Sequence, residues 1–262
     1  MQIIIRPTKE DSTELAARLI ARKITIIPDC TLGLATGTTM ERLYQRLSEM
    51  HVQEGLDFSL VKTFNLDEYI GIPAGNKNSY RYYMNQHLFK NVNIDPRNTH
   101  LPDGMATDLV AECEKYEKRI KDVGGIDLQL LGIGKDGHIG FNEPLSSLKS
   151  RTRDKSLTPL TIDQNSPLFD KAGEMPKRAI TMGIGTILEA KEILMLVTGK
   201  SKAEILAKAL EGPITSMISA SILQLHEKCV VIVDEAASEL LQGRQYYDWI
   251  FQNEPEWEEF RK

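Results

Sequence analysis

Along the chain, apolar positions fall into two alternating patterns. In residues 31–34, 60–64, 126–131, 192–198 and 229–233 nearly every second residue or more is apolar over a short run, closed by turn formers such as Gly, Asp or Asn. That density predicts short strands, several of them buried on both faces. Between these runs the apolar residues recur at helical spacing: Leu15, Leu19 and Ile20; Leu43 and Leu47; Val110, Cys113, Tyr116 and Ile120; Ile205, Leu206, Ala209 and Leu210. Each set predicts an amphipathic helix. Strand and helix in alternation predict an α/β fold, a mostly parallel Rossmann-like sheet with helices on both faces.

No linker rich in Pro, Gly or Ser, no charge block and no fixed repeat divides the sequence, so residues 1–262 are read as a single catalytic domain. Residues 132–176 are the least periodic stretch and contain Pro144, Pro159, Pro167 and Pro176. A segment of that kind in an α/β fold is expected to be a long active-site or lid region. Ligands in such folds bind beyond the carboxyl ends of the strands, so the loops that follow the five strands are the places to look.

Composition acts mainly by exclusion. A net charge of −5 leaves no surplus of Lys and Arg for a nucleic-acid backbone or an anionic membrane, so any anionic ligand must be held locally. The longest apolar runs fall far short of the ~20 residues that cross a bilayer. The first residues, Met1 to Arg6, are soon interrupted by Arg6, Pro7 and Lys9, which is not the pattern of a secretory signal. A cytoplasmic protein is expected. The three cysteines, Cys30, Cys113 and Cys229, lie far apart and read as small core residues.

Four loops carry candidate chemistry. After the first strand, Ala35-Thr-Gly-Thr-Thr-Met40 leads into a helix expected from Glu41 to Met50; free N–H groups at such a turn suit a phosphate, although a plain helix cap has the same sequence. The Gly-Lys-Thr ending of a nucleoside-triphosphate loop is missing. After the second strand come Asp67 and Glu68, then an aromatic run from Tyr69 to Tyr83 that lowers the local dielectric and moves a carboxyl toward neutrality. After the third, Gly132, Gly134 and Gly137 match a dinucleotide fingerprint, but Gly140 and Pro144 arrive before any helix, which argues against a nucleotide.

The same third loop holds Asp136, His138 and Glu143. An imidazole between two carboxylates can both give and take a proton near neutral pH. The three are also metal-ligand types, but no second His is near enough in sequence to complete a transition-metal set, and no metal is expected. The fourth loop, Thr198-Gly-Lys-Ser-Lys-Ala203, offers Lys200 or Lys202 to an anion held near Thr38 and Thr39.

Phe64-Asn-Leu-Asp-Glu-Tyr69 together with Gly134-Lys-Asp-Gly-His-Ile-Gly-Phe-Asn-Glu-Pro144 resembles the glucosamine-6-phosphate deaminase family. The similarity runs from Met1 to about Asp234, including Ala179-Ile-Thr-Met-Gly-Ile-Gly185 and Leu223-Gln-Leu-His226, and fades in the aromatic C-terminal tail. The resemblance implies a single Rossmann-like domain and a metal-free, cofactor-free aldose–ketose isomerisation with loss of ammonia. His138 would open the pyranose ring, oriented by Asp136 and Glu143. Asp67 would carry a proton from C2 to C1 through an enolamine, and water would release ammonia to leave fructose 6-phosphate. The substrate phosphate would rest on Gly37, Thr38, Thr39 and Lys202.

One position departs from the family. Where an arginine usually binds the substrate phosphate, this chain has Pro167, within Asn165-Ser-Pro-Leu-Phe169; Lys171 is a nearby substitute. A weakened or altered preference is expected, such as one for an epimeric amino-sugar phosphate. The resemblance also implies an effector site for N-acetylglucosamine 6-phosphate made from Met1, Ser146, Ser147, Arg153 and Lys155, in a homo-oligomer that in some members is a hexamer. Two other readings compete with the deaminase: a 6-phosphogluconolactonase-like hydrolase, which does not need Asp67 as a carbon base, and a non-catalytic sugar-phosphate sensor, which does not need a complete proton-transfer set.

Overall fold

Runs of buried Ile, Val and Leu pair in parallel to make the centre of the molecule, because strands covered on both faces must be apolar on both. The computed structural model describes residues 1–169 and 175–261, so Lys171 lies outside the described residues. The first half contains β1 (Gln2–Arg6), α1 (Lys9–Ile26), β2 (Thr31–Leu34), α2 (Thr38–Glu54), β3 (Lys62–Asn65), β4 (Asp67–Tyr69), α3 (Tyr80–His87), β5 (Thr99–His100) and α4 (Leu109–Asp122). The second contains β6 (Leu128–Leu131), β7 (Arg153–Ser156), α5 (Pro159–Asn165), β8 (Arg178–Thr181), α6 (Ile184–Leu188), β9 (Ile193–Val197), α7 (Ala203–Leu210), β10 (Cys229–Asp234) and α8 (Arg244–Asn253).

Seven strands form one parallel sheet in the order β1-β10-β9-β6-β2-β3-β5, with helices on both faces. The two ends of the chain meet in it, since β1 pairs with β10 from Gln2 opposite Val230 to Arg6 opposite Asp234. At the middle, β2 leads on toward β3 on one side while β6 leads toward β9 on the other. Their carboxyl ends therefore splay apart and leave a crevice, the place where doubly wound folds bind ligands.

All five predicted strands are present: β2 matches its expected span, β6 and β9 are each shorter by two residues in all, β3 is shifted toward the C-terminus, and β10 runs one residue further. The region predicted to be irregular is more ordered than its sequence pattern: it holds β7 and α5. With β4 and β8, β7 makes a small antiparallel sheet in the order β4-β8-β7, which places Asp67 opposite Thr181 and Arg153 opposite the same residue on the other side. This second sheet was illegible because β7 reads Arg-Asp-Lys-Ser, with no apolar alternation to announce it.

The small sheet is pressed against a turn at Gly104, where a Cβ would lie 2.0 Å from the Tyr69 carbonyl oxygen. The Gly71 N–H donates to the Gly104 carbonyl at 2.9 Å, so neither backbone can retreat freely. Gly104→Ala is expected to cost about 3 kcal/mol in urea unfolding, the scale of an overpacked contact against backbone. A loss under about 0.5 kcal/mol would show that β4 yields without resistance.

Candidate active site

Four loops converge on the crevice and enclose a cavity of about 450 Å³. The turn after β2 contributes Gly37, Thr38 and Thr39, the start of β4 contributes Asp67, the loop after β6 contributes Lys135 and His138, and the turn after β9 contributes Lys202. These are the loops the strand pattern singled out.

The turn after β2 works as an anion cradle because of its backbone. Gly37 has φ +114°, a conformation that side chains disfavour, and it caps α2 without a side-chain bond. The first N–H groups of α2 are thus left to a ligand, with the positive end of the helix dipole behind them. The helix begins at Thr38 rather than at Glu41 as predicted, so Thr38 and Thr39 lie inside its first turn. Tyr83 braces the turn from α3 by donating its hydroxyl to the Gly37 carbonyl at 2.8 Å.

Of the two lysines proposed after β9, Lys200 pairs with Glu239 at the surface and Lys202 faces the cavity. Lys202 Nζ donates to the Ile133 carbonyl at 2.7 Å, which ties it to the loop after β6.

Asp67 opens β4 and is only 7% exposed. Burial, aided by the neighbouring charge of Glu68 and partly opposed by His138, pushes its carboxyl up to about 7. The dry surroundings are built by aromatic rings. Tyr69 lies 4.8 Å from Tyr80, 5.7 Å from Phe141 and 5.8 Å from Phe169, centroid to centroid. Asn165, at the end of α5, donates to the Tyr69 hydroxyl at 3.1 Å and joins that helix to this cluster. Of the run from Tyr69 to Tyr83, Tyr69 and Tyr80 belong to this cluster, and Phe141 and Phe169 complete it from other loops.

Glu68 points away from the chemistry. It accepts the backbone N–H groups of Tyr69, Tyr80 and Arg81, each at 2.9 Å, and so fastens the start of α3 to the strand that bears Asp67.

His138 lies over Gly134 so closely that a Cβ there would fall 2.4 Å from the ring. Its Nδ1 is 2.6 Å from Asp136 Oδ1 and 3.5 Å from Glu143 Oε2. Burial works against a charged ring, but bonding to and the charges of Asp136 and Glu143 outweigh it and raise the imidazole to about 9. Both carboxylates are held below their ordinary range by the same ring, against the opposing pull of burial. Glu143 is fixed in turn by the N–H of Thr158 at 3.1 Å.

Asp136, His138 and Glu143 present ligand atoms within 4.8 Å of one another, the one such group among the described residues. Their chemistry fits a proton better than a metal, because the nitrogen facing the carboxylates must give up its proton to become a ligand and a ring titrating near 9 resists that at neutral pH.

Sequence reasoning did not find Thr158, Thr181 or Lys135. Thr181 Oγ1 accepts the Phe141 N–H at 3.0 Å and so holds the end of the histidine loop, a long-range contact with no local signature. The residues proposed for an effector lie apart from the cavity. Met1 lines a cleft at the amino ends of the strands with Gln2, Lys228 and Trp257. Ser146 and Ser147 follow the histidine loop, and Arg153 and Lys155 are in β7. Arg153 donates to Asn142 Oδ1 at 2.9 Å. Pro167 is exposed on a single 3-10 turn after α5 and lines no part of the cavity.

Proton transfer on an anionic substrate is the chemistry these walls support, which places the chain among the α/β enzymes that act on phosphorylated metabolites. The chain belongs to the family described as glucosamine-6-phosphate isomerases/6-phosphogluconolactonase, whose model matches residues 7–232. A glucosamine-6-phosphate deaminase of Shewanella loihica is 48% identical over 247 residues, covering 94% of this chain and 92% of its own. One from Cellvibrio japonicus is 48% identical over 250 residues, 95% of each chain. A solved structure of a monomeric glucosamine-6-phosphate deaminase superposes with a TM-score of 0.90 at 45% identity, over 92% of this chain and 100% of that one. The 6-phosphogluconolactonase of Trypanosoma cruzi, at 21% identity and a TM-score of 0.73 over 92% and 97% of the chains, shares the fold.

Proposed function

We propose that the protein converts glucosamine 6-phosphate and water to fructose 6-phosphate and ammonia. The observation that carries this reading is the pairing, on one cavity, of a buried carboxylate near neutrality with a histidine held between two acids. His138, charged at neutral pH, donates to the ring oxygen as the pyranose opens and recovers the proton of the C1 hydroxyl, with Asp136 and Glu143 stabilising the charge it carries. Asp67, ionised, then takes the proton from C2 and returns it to C1, while His138 returns a proton to the C1 oxygen and the amino group loses one as the ketimine forms; the aromatic cluster keeps bulk water from the carboxylate meanwhile. Water enters when the resulting ketimine is hydrolysed, so the reaction is an isomerisation completed by loss of ammonia.

Asp67 also separates this reading from its rivals. A lactonase has no carbon acid to deprotonate, and a sensor gains nothing from a base raised to about 7. The test is to offer glucosamine 6-phosphate, galactosamine 6-phosphate and 6-phosphogluconolactone to the enzyme and assay ammonia, fructose 6-phosphate and ring hydrolysis. Ammonia with fructose 6-phosphate from the first is expected; turnover of the lactone alone, or binding without turnover, would overturn the assignment.

The rate should follow a bell in pH. Asp67 must have lost its proton, so activity rises through about 7, and His138 must have kept its own, so activity falls through about 9. A profile of kcat/KM flat between pH 6 and 10 would contradict the roles given to both groups.

We further propose that N-acetylglucosamine 6-phosphate binds at Met1, Ser146, Ser147, Arg153 and Lys155. Support comes from Ser146, whose hydroxyl is buried without a hydrogen-bond partner among the described residues, and from the charge of Arg153 and Lys155 on β7. Met1 lines a cleft that none of the other four line, and we therefore place the site between two copies of the chain in a homo-oligomer. A monomer in sedimentation whose substrate dependence is hyperbolic and indifferent to the acetylated sugar would contradict this. A cytoplasmic location suits a sugar-phosphate substrate and cysteines that are free and buried.

A further inference from the structure

Lys202 is not alone on the phosphate side of the cavity. Lys135 stands one residue before Asp136 in the loop after β6 and lines the same cavity as Gly37, Thr38 and Thr39. The two lysines sense each other: Lys202 is depressed by burial first and then by the positive charge of Lys135, with Asp136 pulling the other way. Lys202 is moreover bonded to the carbonyl of Ile133, on the loop that carries Lys135. Among the described residues Lys135 forms no ion pair, and it is exposed at the mouth of the cavity. Like charges gathered at a half-closed pocket repel unless an anion lies between them, and a low-dielectric wall strengthens both the repulsion and its relief.

We propose that Lys135 is the second cation of the phosphate site, acting with Lys202 and the N–H groups at the start of α2 on the substrate's phosphate dianion. The idea rests on the sugar-phosphate reading above. Each charge then has a distinct part. Lys202, half-buried and anchored, fixes where the phosphate sits; Lys135, at the exposed rim on a glycine-rich loop, adds attraction that salt can screen. Pro167, exposed and outside the cavity, supplies nothing to the phosphate, and Lys135 provides charge from another wall.

The experiment compares wild type with Lys135→Ala, Lys135→Arg and Lys77→Ala, the last because Lys77 lines the cavity from the turn before α3. Inorganic phosphate is titrated by calorimetry, and kcat and KM for glucosamine 6-phosphate are measured at several salt concentrations. Lys135→Ala is expected to weaken phosphate binding about 5- to 10-fold and raise KM by a similar factor, with a shallower salt dependence and a much smaller change in kcat. Lys135→Arg should restore most of the loss. Unchanged phosphate affinity in Lys135→Ala, or a larger loss in Lys77→Ala, would overturn the proposal. The phosphate titration does not depend on which sugar is turned over, so a wild type that releases no ammonia would refute the deaminase reading and leave the test of Lys135 standing.

Discussion

Asp67→Asn should lower kcat about 10³- to 10⁴-fold and at the same time make the protein more stable at pH 8. The first effect follows from removing the carboxylate proposed to move a proton between C2 and C1. The second follows from burial. In the fold Asp67 titrates near 7, against its ordinary 3.8, so the folded state favours the protonated acid. Stability therefore declines as pH rises between those values and is lowest above 7, where the carboxyl is ionised in a dry site. At ~1.4 kcal/mol per pKa unit the cost is at most roughly 4 kcal/mol. Asparagine escapes it. The melting temperature of the variant should exceed that of the wild type at pH 8 and converge with it near pH 4, which thermal scans at both pH values will read. A variant no more stable at pH 8 would mean that Asp67 is not held in the dry state given to it.

His138→Gln should lower kcat about 10²- to 10³-fold, by removing the group proposed to donate to the ring oxygen and accept from the C1 hydroxyl. Its partner allows a sharper test. Asp136→Asn keeps the ring in place but removes the nearer of the two charges that lift it, so the alkaline limb of the pH profile should move from about 9 toward the ordinary 6.5. A lower rate with the limb unmoved would assign Asp136 a structural role only.

The sequence announces the main sheet because its central strands are apolar on both faces, and it announces the histidine loop because Asp136, His138 and Glu143 sit within one short stretch. The charge state of Asp67 was legible in outline, since aromatic residues follow it directly. What joins them was not. The small sheet of β4, β8 and β7 depends on pairing Asp67 with Thr181, residues more than a hundred apart, and β7 carries no apolar pattern. The same sheet sets the small-residue requirement at Gly104, which only the backbone of Tyr69 explains. Lys135 was passed over for a comparable reason: within its loop it is one lysine among glycines, and its meaning arises from Lys202 across the cavity.

The helix start at Thr38, three residues earlier than its apolar pattern suggested, shows the same limit on a smaller scale. Apolar periodicity marks the face that packs, whereas the first turn of α2 faces the cavity and carries threonines. Its boundary is drawn by Gly37, whose positive φ ends the extended approach and frees the N–H groups beyond it.

The central claim is that one buried carboxylate, fixed on one side of the opened sugar, moves the proton from C2 to C1. The measurement that tests it most directly is turnover of glucosamine 6-phosphate in heavy water, followed by nuclear magnetic resonance of the product together with an ammonia assay. Fructose 6-phosphate and ammonia should form in equal amounts, with any deuterium confined to one of the two positions on C1. Deuterium at both positions, or fructose 6-phosphate without its equivalent of ammonia, would contradict it.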